Sequence, residues 1–181
     1  MSERPLRCFV AVELPSEMQG QIMDIQQGLA MPGVRMVRPE QVHITIKFLG
    51  DVPGQRLDDV LRAISKVPFQ PFSARIEGLG AFPGRSIRVV WLGAQGEFAQ
   101  LARAVDDALQ PMGFPRQDGF QAHATLARVK DPAAGKALSA RLAGQAGICL
   151  GTFLVDRFFL KKSTLTSGGP IYEDLAQFPS I

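Results

Sequence analysis

Residues that mark secreted, membrane-spanning and metal-binding proteins are scarce in this chain. Its 181 residues include two histidines, two cysteines, one tryptophan and one tyrosine. Cys8 and Cys149 each lie in an apolar stretch and give no disulfide framework, so we predict that both are buried, reduced thiols. Because reduced thiols are typical of the cytoplasm, we expect the protein to be cytoplasmic.

Long apolar runs are also missing. No apolar stretch reaches the roughly 18 residues needed for a membrane-spanning helix. The first residues, MSERPLRCFVAVEL, lack the apolar segment and the small-residue cleavage site of a signal peptide. We therefore expect neither a membrane span nor secretion.

Charge and composition limit the function less sharply. The net charge is +3, and arginine outnumbers lysine 14 to 6. Arginine suits phosphate oxygens, but a chain this rich in Ala, Gly and Pro can equally owe its arginines to codon bias. Hydrophobic residues make up 46% of the chain, as in ordinary globular proteins. We predict one domain over residues 1–181 that folds without metal or disulfide support.

Hydrophobic periodicity predicts a mixed α+β protein. Period-two alternation and turn residues indicate strands at 6–14, 34–37, 41–49, 72–82, 87–93, 120–129 and 149–165, the last with a bend at Gly151. Apolar residues at helical spacing indicate helices after Ser16 and over 56–67, 97–113 and 133–144. Because short turns join several strands, we expect largely antiparallel sheets with helices covering one face.

Both histidines open the same short motif. The stretches HITIKFLG, from His43, and HATLARVK, from His123, each begin His-x-Thr and lie in predicted strands 80 residues apart. Alternate side chains of a strand share a face, so each histidine is expected beside its threonine, Thr45 or Thr125, with the residue between them in the core. The repeat indicates two lobes related by a pseudo-twofold axis, whose motifs meet in one cleft.

Histidine occurs in three kinds of catalytic site that the motifs bring into question: a zinc site, a nucleophilic site, and a site for paired acid and base catalysis. A zinc site needs a third ligand, and neither motif carries Asp, Glu or Cys beside its histidine. Nucleophilic catalysis is disfavoured because the chain has no Gly-x-Ser-x-Gly turn, and an internal threonine needs an activating base. Paired acid and base catalysis fits best, with one imidazole taking a proton from water and the other giving a proton to a leaving oxygen. Since threonine hydroxyls can hold phosphate oxygens, we predict metal-independent cleavage of a phosphodiester.

Six stretches spread over nearly the whole chain, two of which contain the motifs, resemble one family: RCFVAVELP, RPEQVHITIKFLGDV, GLGAFP, RVVWLG, HATLARV and LKKSTLTSGGPIYEDLAQFP. The family is the 2H phosphoesterase superfamily, and within it the LigT-like RNA 2′,3′-cyclic phosphodiesterases, also called the 2′-5′ RNA ligase family. The resemblance implies a bilobal α+β fold, with two pseudo-symmetric lobes of largely antiparallel sheet and outer helices around a central cleft. It also implies that no metal or nucleotide cofactor is needed.

The resemblance further implies roles for residues of this chain. Members of the family open a terminal 2′,3′-cyclic phosphate on RNA to a 2′-phosphate, and some join RNA halves through 2′-5′ bonds in the reverse sense. By that likeness His43 is the general acid that protonates the departing 3′-oxygen, and His123 is the general base that activates water. Thr45 and Thr125 would hold the phosphate, and Arg128 matches a family arginine near it. Strict alternation, in contrast, places Arg128 on the face opposite His123.

Four further residues are assigned from alternation and context. Lys47 shares the predicted face of His43, where it either steers RNA to the cleft or lies exposed. Phe48 is predicted to lie in the core, although its ring is also suited to stacking on a base. Tyr172, in the Gly-x-x-Tyr pattern of the family, is expected to pack against neighbours, and Trp91 is expected in the core.

The sequence leaves the substrate partly open. Met36, Ala122 and Ala124 depart from residues common in the family, which leaves the choice of RNA undetermined. The same chemistry on a small cyclic nucleotide or on an ADP-ribose cyclic phosphate is one alternative, and a non-catalytic module that holds RNA ends is another. We expect the partner to be RNA with a 2′,3′-cyclic phosphate end, such as tRNA fragments, bound by a monomer without membrane contact.

Overall fold

Nine strands and four α-helices make up the regular structure of the residues that the computed structural model describes, which are 4–82, 87–145, 147–167 and 169–179. The strands are β1 (Leu6–Glu13), β2 (Val34–Met36), β3 (His43–Val52), β4 (Phe72–Phe82), β5 (Val89–Gln95), β6 (His123–Val129), β7 (Cys149–Val155), β8 (Phe158–Thr166) and β9 (Gly169–Phe178). The helices are α1 (Gln19–Leu29), α2 (Leu57–Ile64), α3 (Phe98–Leu109) and α4 (Pro132–Leu142).

The strands form one sheet in the order β7-β4-β5-β6-β3-β1-β8-β9, with β2 beside β6. The recorded pairings are antiparallel throughout. Four strands on each side of the centre form a lobe, and the lobes meet where Ile44 of β3 pairs with Ala124 of β6. The predicted α+β fold, with two lobes of largely antiparallel sheet, is therefore confirmed.

A two-residue link makes the sheet curve. The prediction of a single strand over 149–165 is wrong, because β7 pairs with β4 in one lobe while β8 pairs with β1 in the other. Only Asp156 and Arg157 separate the two strands, although five strands lie between them in the sheet order. Such a link reaches about 10 Å at most. The two lobes must therefore bend toward each other. Apolar residues flank the two-residue link on both sides, so the sequence pattern does not show that the strand is interrupted there.

An extra residue interrupts the alternation of β3. Thr45 and Lys47 pair with adjacent residues of β1, so Ile46 between them has no partner on that strand. A bulge of this kind reverses which face the following side chains occupy. Ile46 and Lys47 are consecutive buried residues, and Phe48 returns to the open face of the sheet.

The same irregularity occurs at the equivalent place in β6. Thr125 and Ala127 pair with adjacent residues of β5, which leaves Leu126 without a partner there. Leu126 and Ala127 are both buried, and Arg128 returns to the open face. The buried side chain of Gln26, on α1, donates to the carbonyl oxygen of Leu126 at 3.0 Å, so this bulge is held by the helix layer.

The hydrophobic core lies between the other face of the sheet and the helices. Helix α3 packs on β3, and α1 and α4 pack on β6. A continuous apolar cluster runs through both lobes, and its fully buried members include Ile22, Ile44, Ile46, Leu92, Phe98, Leu109, Leu126 and Leu138. Because the helices occupy this face, the histidine face of the central strands is the one that remains open.

Two further details differ from the sequence predictions. Strand β9, which pairs with β8 along its whole length, has no counterpart among the predicted elements.

Cys8 is buried and free as predicted, and burial raises the pKa of its thiol to about 11. Cys149 is free but exposed, so the prediction that both thiols are buried is wrong for this one. Within the described ranges, no helix combines the length and apolar character needed to cross a membrane.

Candidate active site

The pairing of Ile44 with Ala124 brings the two His-x-Thr motifs together at the centre of the sheet. In an antiparallel pair this register puts each histidine opposite the threonine of the other motif. Ile44 and Ala124 are fully buried in the core, so the two histidines and two threonines lie on the open face. The site residues that the repeat relates in sequence are therefore neighbours in the fold.

Both imidazoles are held in the same way. Nδ1 of His43 lies 2.7 Å from the carbonyl oxygen of Gln41, and Nδ1 of His123 lies 2.7 Å from the carbonyl oxygen of Gln121. Because a carbonyl oxygen can only accept, each Nδ1 carries the proton and donates it. In each residue Nε2 is then the nitrogen that can gain or lose a proton.

His43 is enclosed by aromatic rings and by its own threonine. Its Nε2 lies 3.1 Å from Oγ1 of Thr45, within hydrogen-bond distance. The ring of Phe9 lies 5.0 Å away between centroids, and the ring of Tyr172 meets it edge-on at 5.2 Å. Tyr172 thus packs against the site as predicted, and these contacts fix the orientation of the imidazole.

The surroundings of His43 disfavour its charged form. Burial lowers the pKa of His43 from its ordinary value of 6.5 to about 4, assisted by nearby positive charge. The largest contributions come from the charges of Lys161 and Arg128. The unliganded protein at neutral pH therefore holds His43 as a neutral imidazole with its lone pair on Nε2.

His123 has a different aromatic neighbourhood. The ring of Phe82 meets it edge-on at 4.7 Å, and the indole of Trp91 lies 6.2 Å away. Trp91 is half-buried beside this histidine, so the prediction that it belongs to the core is wrong. Its indole covers Gly80, where even one added carbon would overlap the ring. Because Gly80 has no side chain, it leaves space for the indole of Trp91, which lies beside His123.

Arg128 lies on the same face as His123 and close enough to influence His43. The bulge at Leu126 brings its exposed side chain to this face, which strict alternation does not allow. Its positive charge lowers the pKa of His43 and opposes the rise that burial causes in the pKa of Tyr172. The structure therefore provides a cation beside the two histidines.

Lys47 is neither an exposed lysine nor an RNA-steering one, so both interpretations of it are wrong. It is 3% exposed and forms a buried ion pair with Asp106 of α3. It also donates to the carbonyl oxygen of Pro115 at 2.6 Å, and Asp106 accepts from the backbone N–H of Gln117 at 3.2 Å. The pair ties the segment that leads to His123 onto β3 and α3.

Phe48 is 63% exposed, so the prediction that it lies in the core is also wrong. The bulge at Ile46 turns its side chain to the open face, where its ring lies 6.1 Å from that of Phe9. Phe9 is in turn in contact with His43. The exposed ring therefore belongs to the surroundings of the site.

Lys161 is a site neighbour that the sequence patterns did not identify. It is 6% exposed, lies 2.5 Å from a carboxylate oxygen of Glu13 and is also paired with Asp174. A cavity of about 350 Å³, lined by these three residues together with His43 and Tyr172, adjoins the site. A lysine inside the apolar stretch FFLKKS is the one signal that indicates a buried charge here.

The described part of the chain contains no group of three His, Cys, Asp or Glu side chains arranged to hold a metal ion. Three acidic residues, Glu13, Glu40 and Asp174, line the cavity beside His43, and two of them, Glu13 and Asp174, pair with Lys161. The polar groups described above include two imidazoles, two hydroxyls and a guanidinium, which can exchange protons and bind an anion.

Known proteins resemble both halves of the chain. The family described as LigT like Phosphoesterase matches residues 12–91 and again residues 93–172, so each match contains one His-x-Thr motif. An RNA 2′,3′-cyclic phosphodiesterase of Archaeoglobus fulgidus is 40% identical over 177 residues, covering 96% of this chain and 99% of the relative. Another, from Methanothermobacter thermautotrophicus, is 36% identical over 181 residues, covering 96% and 98%.

A solved structure also shares the fold. A crystal structure of a protein from Thermus thermophilus matches with a TM-score of 0.80 at 31% identity, covering 95% of this chain and 96% of that one. The family match extends over both lobes, and each lobe contributes one histidine to the site. The chain belongs to the LigT-like phosphoesterase family.

Proposed function

We propose that this chain is an enzyme that hydrolyses 2′,3′-cyclic phosphate ends of RNA to 2′-phosphomonoesters without a metal ion. Relatives that match nearly its whole length carry the name RNA 2′,3′-cyclic phosphodiesterase. One observation carries the mechanism: the Ile44–Ala124 pairing brings together two histidines whose Nδ1 atoms are both tied to carbonyl oxygens. Two titratable Nε2 atoms then face one phosphate, which is the arrangement that acid and base catalysis needs.

The proposed reaction uses one histidine for each proton transfer. Nε2 of His123 takes a proton from water, and the water oxygen forms a bond to phosphorus. The bond from phosphorus to the 3′-oxygen breaks, and His43 gives its Nε2 proton to that oxygen. The products are a 2′-phosphate and a 3′-hydroxyl. His123 ends protonated and gives that proton to solvent, whereas His43 ends neutral, which is its state in the unliganded protein.

The phosphate itself prepares His43 for the acid role. In the unliganded protein, burial and nearby positive charge keep the pKa of His43 near 4. A bound phosphodiester brings a negative charge that opposes the charges of Lys161 and Arg128, and this favours the imidazolium. We therefore propose that substrate binding is accompanied by proton uptake at His43.

Three further residues complete the proposed phosphate site. The hydroxyls of Thr45 and Thr125 donate to non-bridging oxygens, whose negative charge grows in the transition state. Arg128 supplies a guanidinium on the same face and binds the phosphate or its neighbour in the RNA chain. The open face thus neutralises charge without a metal ion.

The reverse reaction and the setting of the enzyme are also proposals. If a 5′-hydroxyl of a second RNA replaces water, the same geometry joins two RNAs through a 2′-5′ bond. In dilute solution water is in excess, so hydrolysis prevails. We propose that the enzyme acts as a monomer in the cytoplasm, with tRNA fragments among its substrates.

Product analysis tests the proposal. An oligoribonucleotide with a 2′,3′-cyclic phosphate should give only the 2′-phosphate, and EDTA should not slow the reaction. His43→Ala and His123→Ala should each lower kcat/KM at least about 100-fold, whereas Cys149→Ser, at an exposed position on β7, should not. Wild-type rates in either histidine variant, or a 3′-phosphate product, would contradict the mechanism.

The alternative substrates are separated by the same assay. Faster turnover of 2′,3′-cyclic mononucleotides or of ADP-ribose cyclic phosphate than of the oligoribonucleotide would indicate a small-molecule enzyme. Protein that binds the RNA end but leaves it intact from pH 5 to pH 9 would be a binding module.

A further inference from the structure

We propose that Arg35 binds the phosphate that links the last two nucleotides of the RNA, so that the enzyme favours an RNA end over a free cyclic mononucleotide. This inference rests on the proposed function, because it names a part of that substrate and the residue that holds it. Arg35 takes no part in the proton transfers.

Arg35 lies directly beside Arg128 on the open face of the sheet. The two residues are opposite each other in the antiparallel pairing of β2 with β6. Side chains at opposed positions of such a pair project to the same face, so Arg35 shares the face of Arg128. The neighbours of Arg35 on β2, Val34 and Met36, pack instead against the hydrophobic core.

The opposed arginines do not favour folding. Like charges placed directly across a strand pair repel each other, so this pairing costs stability. An anion bound between two guanidiniums replaces the repulsion by attraction to a common partner. The pair of Arg35 and Arg128 is therefore the arrangement expected where a phosphate chain is bound.

Arg35 also reaches from one lobe to the other. Its guanidinium lies against Gly169, at the start of β9, where an added Cβ would overlap a terminal nitrogen of Arg35. Gln41, two residues before His43, reaches the same hairpin and donates to the carbonyl oxygen of Pro170 at 3.3 Å. A guanidinium presents several N–H donors in a planar fork, so it can contact the hairpin and a phosphate together.

The position of Arg35 relative to the histidines fits the second phosphate of the chain. Tyr172, whose ring contacts that of His43, is three residues beyond Gly169 on β9, which corresponds to about 10 Å along a strand. Arg128, in contrast, is close enough to influence the pKa of His43. Arg128 is therefore placed for the terminal phosphate, and Arg35 for the next phosphate along the chain.

This assignment separates two of the substrates considered above. A 2′,3′-cyclic mononucleotide carries only the phosphate that reacts, so it offers no second anion to Arg35. An RNA end carries both phosphates. The attraction of Arg35 for the linking phosphate thus favours RNA without changing the chemistry at the two histidines.

Kinetics on two substrates of different length test the proposal. One is a 2′,3′-cyclic mononucleotide, and the other is a dinucleotide that ends in the same cyclic nucleotide and begins with a 5′-hydroxyl. Arg35→Gln should lower the ratio of kcat/KM for the dinucleotide to kcat/KM for the mononucleotide about 10-fold, as for the loss of one charge-assisted hydrogen bond. Arg35→Lys keeps the charge but not the fork, so it should recover part of this ratio. Arg103→Gln, at an exposed position on α3, is the matched control and should leave the ratio unchanged.

A neutral linkage identifies the contact. A dinucleotide whose linking phosphate is replaced by a methylphosphonate lacks the negative charge at that position. The wild type should cut it about 10-fold more slowly than the normal dinucleotide, and Arg35→Gln should cause no further loss. Equal rates of the wild type on both linkages, or an equal loss on both in Arg35→Gln, would overturn the proposal.

A purely structural role for Arg35 gives a different result. If the arginine only holds the hairpin, Arg35→Gln should slow the mononucleotide as much as the dinucleotide, and this outcome would also overturn the proposal. Wild-type protein that hydrolyses neither substrate would instead contradict the proposed function.

Discussion

Ile44 pairs with Ala124, and this contact joins the two lobes of the sheet at their centre. Both side chains are fully buried, so the residues beside them project to the opposite, open face. The antiparallel register then sets each histidine across from the threonine of the other motif. The site is thus a consequence of strand pairing, and its chemistry can be altered one side chain at a time.

The threonine hydroxyls are expected to act on the phosphate. Thr45→Val and Thr125→Val keep the branched shape that suits a strand but remove the donor, so each should lower kcat on the order of 100-fold. Thr→Ser at either position should recover most of this rate because the hydroxyl returns. Thr164→Val, at an exposed position on β8, is the control and should leave kcat unchanged. Loss in the Ser variants equal to that in the Val variants would show that shape, not the hydroxyl, matters.

A substrate with a different leaving group should distinguish the acid role of His43 from the base role of His123. In a cyclic phosphate whose 3′-oxygen is replaced by sulfur, the leaving thiolate needs no proton. His43→Ala should then approach the wild-type rate on this substrate, while His123→Ala should remain slow because water still needs a base. If His123→Ala is the variant that recovers, the two histidines exchange roles.

Stability should depend on pH through His43. The pKa of His43 is about 4 in the folded protein and near 6.5 when unfolded, so the unfolded chain binds more protons between these values. The stabilisation is fully present above pH 6.5 and is lost as the pH falls toward 4, by roughly 3 kcal/mol. Urea denaturation at several pH values measures this loss. His43→Gln should flatten the curve over that window relative to the wild type, and an unchanged slope would contradict the shifted pKa.

Much of the site follows from the sequence, but the positions of Lys47, Phe48 and Arg128 do not. Alternation along the strand correctly relates His43 to Thr45 and His123 to Thr125, since each pair precedes any irregularity. The same rule fails beyond Thr45, because a bulge adds one residue that no partner strand matches. Such a bulge depends on pairing with β1 or β5, which local sequence does not contain.

Partners distant in the chain explain the other failures. Lys47 is buried because α3 supplies Asp106 beneath it, and Lys161 is buried because Glu13 and Asp174 lie beside it. In each case the lysine and its partner come from separate elements that meet only in the folded protein. The break between β7 and β8 does not follow from the sequence for a related reason: the two strands pair in different lobes.

The chain should unfold as one domain. A continuous apolar cluster includes residues of both lobes, so neither lobe has a separate core. We therefore expect a single cooperative transition, with equal calorimetric and van't Hoff enthalpies. Two resolved transitions in scanning calorimetry, or a protease-resistant fragment that holds only one His-x-Thr motif, would contradict the prediction of one domain over residues 1–181.

Removing one charge of the buried pair of Lys47 and Asp106 should lower the free energy of unfolding substantially. Lys47→Met leaves a buried carboxylate without its cation, and Asp106→Leu leaves a buried ammonium, so each should cost about 3–5 kcal/mol of unfolding free energy. The double variant removes both charges and should be more stable than either single one. Additive losses in urea denaturation would contradict this coupling. The double variant should nevertheless keep a reduced kcat, because the segment at Pro115 and Gln117 that leads to His123 loses both of its anchors.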